Sequence, residues 1–268
     1  METTQTQKIG VTTATIIGMN AMIGAGIFAA PAGLAAHVGP AGIIAYIFVV
    51  IAVWFMANSL AKVASLYPGE GSFYTYTKQW GGHAMGVAAI SAYFIGLLIA
   101  MGLLSQAAGS YLHTFFPSVT PHALGLIALV SLVVLNMFGV VFSQLGQHIL
   151  IGCTLFPLLA TTILCFTKAD ISNLTPFAPY GLSNLFKALP FVIFGFFGFE
   201  SAASLYSIVE NPQKNVPRAL TYSIAAVGLI YILFVTSIIV STPLHLFTSP
   251  LTPLSEALRQ LFPTYTCL

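Results

Sequence analysis

Long apolar runs, separated by short polar or turn-forming stretches, divide the chain into seven segments that each read as a membrane-crossing helix. They cover about 9–36, 41–66, 84–113, 121–142, 147–166, 185–208 and 218–241. The stretch PGEGSFYTYTKQWGG (68–82) reads as a turn-rich aromatic connector, TKADISNLTPFAPYGLSN as a polar loop before the sixth span, and ENPQKNVPRAL as the loop before the seventh. Beyond 241 the pattern predicts one short amphipathic helix, with Leu254, Leu258 and Leu261 at helical spacing.

Composition agrees with that pattern. The 268 residues are 57% hydrophobic and 5% charged, whereas a soluble domain carries about 25% charged residues. The expected class is therefore an all-α, polytopic membrane protein. A net charge of +2 on so few ionic groups makes no basic patch, so nucleic acid is not an expected partner. The lipid bilayer is. The three cysteines and six histidines follow no ligand spacing, so neither a metal nor a cofactor is expected. No nucleophile–base pair is evident, and an enzyme is not expected. The seventh span lacks an interior lysine for a retinal Schiff base, which argues against a seven-helix photoreceptor.

Orientation follows from the cationic residues. With a cytoplasmic N-terminus, Lys8, Lys62, Lys78, Lys214 and Arg218 lie inside, against Lys168, Lys187 and Arg259 outside. The first apolar stretch is too long for a cleaved signal core and reads as a retained span, with the plasma (inner) membrane as the expected location. Asn173-Leu174-Thr175 matches a glycosylation triplet on the outer side, but Pro176 follows it.

Two spans carry glycines where a lipid-embedded helix gains nothing from them. The first contains AMIGAGIFAAP (21–31), with Gly24 and Gly26 at its middle and Pro31 beyond; the sixth contains FGFFGFES (194–201), with Gly195 and Gly198. Backbone groups freed in hydrocarbon cost several kcal/mol (roughly) each when unpaired, so such interruptions need a use. Broken helices at corresponding positions of two repeats point to a transporter's binding site. A helix starting near Ile27 would offer the amides of Ala25, Gly26 and Ile27 to a carboxylate. Carbonyls freed at Met22, Ile23, Phe194 and Phe197 would accept from an ammonium. The competing reading is close helix packing through small residues.

Glu200, the one acid well inside an expected span, needs an interior or wet surrounding, because a carboxylate at the bilayer centre costs at least ~2.5–3.5 kcal/mol. A proton-linked gate and a structural hydrogen bond to a neighbouring helix are the two readings.

Three passages resemble the amino acid–polyamine–organocation transporters, in particular the basic amino acid/polyamine antiporter branch: IGAGIF, SLYPGEGSFYTYTKQWGG and FGFESAASLYSIVENPQKNVPRAL, in the family's order and spacing. The resemblance implies a LeuT-like fold of two inverted five-helix repeats with helices one and six discontinuous. It places the carboxylate-binding amides at Gly24, Ala25, Gly26 and Ile27, the gating acid at Glu200, and an aromatic lid at Phe194 or Phe197 beside Gly198. In arginine-selective relatives the Phe194 position resembles a tryptophan, and a polar position on the third helix is here Met101. Both departures favour a neutral over a cationic amino acid. The family's sodium users draw on helices five and eight, which gives sodium coupling no support here.

Relatives of this kind have ten or more spans. The chain is therefore expected to be one incomplete transporter domain over 1–268, with a first five-helix repeat over 1–166 and a partial second repeat over 185–268. The expected activity is amino acid permeation or exchange, with or without proton coupling. The alternative is a transport-inactive fragment, or a partial subunit completed by a second copy or another polypeptide.

Overall fold

The computed structural model describes residues 8–67, 72–137 and 144–247. Helices make up the framework: α1 (Val11–Met22), α2 (Ala25–His37), α3 (Gly42–Leu66), α4 (Ser72–His113), α5 (Pro121–Met137), α6 (Gln144–Thr167), α7 (Leu185–Phe194) and α8 (Pro212–Ser241). Among the described residues the only bridge of strand type joins Ile9 to Val209. Five stretches are long and apolar enough to cross a membrane: Gly39–Leu66, Phe73–His113, Leu145–Thr167, Leu182–Leu205 and Pro212–Ser241. The chain is an all-α, multi-pass integral membrane protein.

The first apolar segment folds as two helices, α1 and α2, of 12 and 13 residues. The sixth folds as α7 followed by turns and a 3₁₀ helix at Phe199–Leu205. Pro31 does not end α2, which continues to His37. Two stretches expected to be loops are helical instead. Helix α4 begins at Ser72, inside the aromatic connector, and is interrupted at Gly82 (φ 74°, ψ −177°). Helix α8 begins at Pro212, because a proline at the first helical position lacks only an N–H that would have no intrahelical partner there. The amphipathic helix expected around Leu254, Leu258 and Leu261, together with Arg259 and Cys267, lies outside the described residues.

The chain forms two compact units. The first gathers the described residues of Met1–Met22, Val53–Ile149 and Gly198–Ala225; the second gathers those of Ile23–Ala52, Leu150–Phe197 and Ala226–Leu268. The chain passes between units at Met22–Ile23 and Phe197–Gly198, within the two interrupted segments, and inside the continuous helices α3, α6 and α8.

In the first unit, small residues let backbones close up around a core of Ala14, Ala61, Ala64, Ala202, Ala203 and Ala219, with Tyr76 and Tyr206 filling it. Ile9 N–H donates to the Ile208 carbonyl (2.8 Å), and Glu210 N–H donates back to Ile9 (2.9 Å), which fixes the start of α1. Helices α4 and α5 approach so closely at Gly109 and Gly125 that a Cβ on either would strike the other helix's backbone.

The second unit is held by larger side chains. Tyr46, Phe196, Tyr231 and Phe234 are fully buried, with Phe196 and Tyr231 5.2 Å apart and Phe28 edge-on to Phe234 at 5.8 Å. The loop after α6 is tied to the end of α8. Asp170 N–H (2.8 Å) and the Asn173 side-chain amide (2.9 Å) both donate to the Val240 carbonyl, an acceptor that the end of a helix leaves without an intrahelical partner. Outside the spans, exposed Asp170 also accepts from Ser172, which holds its carboxyl below the usual carboxylate range. Asn173, the glycosylation candidate, has its amide committed to this internal bond.

Candidate substrate-binding elements and gate

Within the second unit, α2 begins at Gly24, whose backbone is extended (φ −143°, ψ −164°), and no side chain caps this end. The amides of Ala25, Gly26 and Ile27 are thus first-turn donors without intrahelical acceptors, at the end of a helix carrying about +0.5 of an elementary charge. Such an end suits an anion. Ile23 and Ile27 are buried, and a Cβ placed on Gly24 would meet nothing within 4 Å.

Gly26 also has a packing role. A Cβ there would come to 3.2 Å from the Phe194 ring and 3.5 Å from the Gly195 Cα, so this glycine lets the end of α7 lie against α2. A Cβ on Gly24 would enter open space, whereas the lack of one on Gly26 lets the Phe194 ring lie against α2. Phe194 therefore sits beside the α2 amides. The turn that follows is made by Phe196 N–H to the Ile193 carbonyl (3.0 Å) and Phe197 N–H to the Phe194 carbonyl (3.1 Å). The Phe194 carbonyl, expected to be free, is thus already an acceptor, with its second lone pair left over.

Within the first unit, Met22 closes α1 and is buried. Gly198 has φ +102°, and a Cβ on it would lie 2.5 Å from the Ala21 carbonyl oxygen. Glycine is required there on both counts. It opens the 3₁₀ helix that carries Glu200, which is 3% exposed and accepts a hydrogen bond from the Tyr93 hydroxyl at 2.5 Å. Tyr93 in turn stacks on Phe73, with ring centroids 4.5 Å apart. Sequence reasoning identified the acid and missed its partner. A lone tyrosine in an apolar run, 107 residues away, carries no local signal.

A second missed pair is Asn20 and Gln147. The Asn20 amide donates to both the main-chain carbonyl (2.9 Å) and the side-chain oxygen (2.7 Å) of Gln147, and the Asn20 Oδ1 is buried without a partner. Replacing Gln147 with leucine removes one of the two acceptors and leaves the Asn20 amide its main-chain partner, a loss of about 0.5–1.5 kcal/mol. Thermal unfolding in detergent is expected to show that modest loss for Gln147→Leu.

The remaining residue of interest is Met101, which is exposed on α4. Among the described residues, no three metal-ligating side chains gather.

The family profile described as amino acid permease matches residues 9–258. The chain is 26% identical to a branched-chain amino acid permease (BcaP) of Bacillus subtilis, over 84% of its own length and 53% of the relative's. It is 24% identical to cationic amino acid transporter 1 of Arabidopsis thaliana, over 84% of its length and 41% of the relative's. It is 28% identical to a methylthioribose transporter of Bacillus subtilis, over 81% and 51%. The chain spans about half the length of these relatives. With the profile matching almost from end to end, the chain belongs to the amino acid permease family, within the amino acid–polyamine–organocation superfamily.

Proposed function

We propose that the chain binds a free amino acid, neutral or cationic, for secondary transport across the plasma (inner) membrane, with its N-terminus cytoplasmic. The observation that carries this reading is the uncapped start of α2 at Gly24. The Gly24, Ala25, Gly26 and Ile27 amides take the carboxylate, and carbonyls of Ile23, Phe194 and Phe197 in the same unit take the ammonium. Phe194 is favoured over Phe197 as the aromatic lid, because its ring lies against Gly26. Gly198 supplies the turn that presents Glu200, and Glu200 with Tyr93 serves as a proton-responsive gate. The names of the relatives support an organic-solute transporter rather than an enzyme, and two of the three quoted concern amino acids. Proteoliposomes containing the chain are expected to exchange labelled amino acid; uptake no greater than in empty vesicles defeats transport by this chain.

A second reading draws on the length comparison. The chain works with a second copy of itself or with a polypeptide that supplies the rest of the relatives' length. Co-purification of a membrane-spanning partner, with exchange appearing only in its presence, distinguishes this reading from the first.

A further inference from the structure

The first ten residues of α4, before the Gly82 interruption, form a short helix with two unlike faces. Phe73 and Tyr76 point inward: Phe73 stacks on Tyr93, and Tyr76 is buried in the alanine-rich core. Lys78, Gln79 and Trp80 point outward, and Trp80 is 76% exposed. The Tyr74 ring is the platform between the faces. The Lys78 ammonium lies 5.6 Å from its centroid, and the His83 imidazole meets it edge-on at 5.9 Å from beyond the break. The Tyr74 hydroxyl and His83 Nδ1 are hydrogen-bonded at 2.9 Å; with the hydroxyl donating, His83 keeps Nε2–H as an outward donor.

We propose that Lys78 and His83, held on Tyr74 and flanked by Trp80, form a binding site for the phosphate of an anionic phospholipid headgroup. A cation and a ring N–H held on one aromatic platform suit a phosphate. The neighbouring tryptophan favours a lipid over a soluble anion. An indole this exposed at the end of a membrane-crossing helix belongs at the headgroup level, where its apolar body and its N–H are both accommodated. Phe73 and Tyr76 fix the helix from the inside, so the site is preorganised. Because Phe73 backs Tyr93, an occupied site also steadies the partner of Glu200, a consequence that rests on the gating reading above.

The test uses the two tryptophans of the chain, Trp54 and Trp80. Trp54→Phe leaves Trp80 as the sole reporter in nanodiscs containing brominated phosphatidylglycerol or brominated phosphatidylcholine. Half-maximal quenching of Trp80 is expected at about a fivefold lower mole fraction of the anionic lipid, from one lysine near a charged surface. Lys78→Gln combined with His83→Gln is expected to abolish the preference, and Lys78→Arg to keep it. Equal quenching by the two lipids, or a preference that survives the double substitution, overturns the site. So does a Trp80 that neither lipid reaches, which would mean protein covers it. Loss of the preference in excess inorganic phosphate overturns the lipid assignment in favour of a free-anion site. None of these readouts depends on transport, so their failure is separable from failure of the transport proposal.

Discussion

Gly198→Ala is expected to abolish amino acid binding and to lower stability by about 2–5 kcal/mol, the sum of a side chain at positive φ and an overpacked contact. At φ +102° the added Cβ is strained by the backbone alone, and it would also lie 2.5 Å from the Ala21 oxygen and 2.9 Å from the Ala21 carbonyl carbon. Neither atom can swing aside, because both belong to the last turn of α1. Gly24→Ala gives the opposite profile. Its φ of −143° suits any residue and its Cβ would meet nothing, so a change below about 0.5 kcal/mol in stability is expected. Binding should nevertheless weaken, because the methyl group enters the open side of the α2 start. Gly26→Ala falls between them, with the Phe194 ring able to give by a few tenths of an ångström. Thermal unfolding and ligand binding measured on the three variants separate glycines kept for packing from glycines kept for a ligand. If Gly24→Ala instead unfolds the protein, the packing reading of that glycine is the correct one; if it leaves binding untouched, the start of α2 does not hold the ligand.

Glu200→Gln is expected to remove the pH dependence of amino acid exchange and to reduce its rate about tenfold. Glutamine still accepts from the Tyr93 hydroxyl, but an amide cannot take up or release the proton that the proposed gate uses. Tyr93→Phe removes the donor and leaves Glu200 buried without that bond, so it should cost more stability than Glu200→Gln. The double variant should show a coupling energy of about 0.5–3 kcal/mol. Exchange across a pH series in proteoliposomes checks the first claim, and unfolding of the two single variants and the double variant checks the second. A Glu200→Gln protein whose pH profile matches the parent's makes Glu200 a structural acceptor.

The interruptions were legible because glycine near the middle of a long apolar run has few uses, and α1 does end at Met22 with α2 starting at Ala25, as α7 ends at Phe194 with a 3₁₀ helix starting at Phe199. What each glycine does was not legible. Gly26 and Gly24 stand two apart in the same string, yet one touches Phe194, from a segment 168 residues away, while the other faces open space. The starts of α4 and α8 were hidden for local reasons. Serine, threonine, lysine and proline read as loop formers when scored singly, although Pro212 sits where a helix tolerates it best and Tyr76 anchors its helix through core contacts. Tyr93 and Gln147 escaped notice because their meaning lies wholly in distant partners, Glu200 and Asn20.

The most direct measurement compares the affinities of the purified chain for leucine and for the amine left when leucine loses its carboxylate. If the amides of Ala25, Gly26 and Ile27 grip the carboxylate through two or more charge-assisted bonds, the amine should bind about a hundredfold more weakly or worse. Equal affinity for the two, or no binding of leucine or of any other free amino acid, would mean that the start of α2 is not the grip.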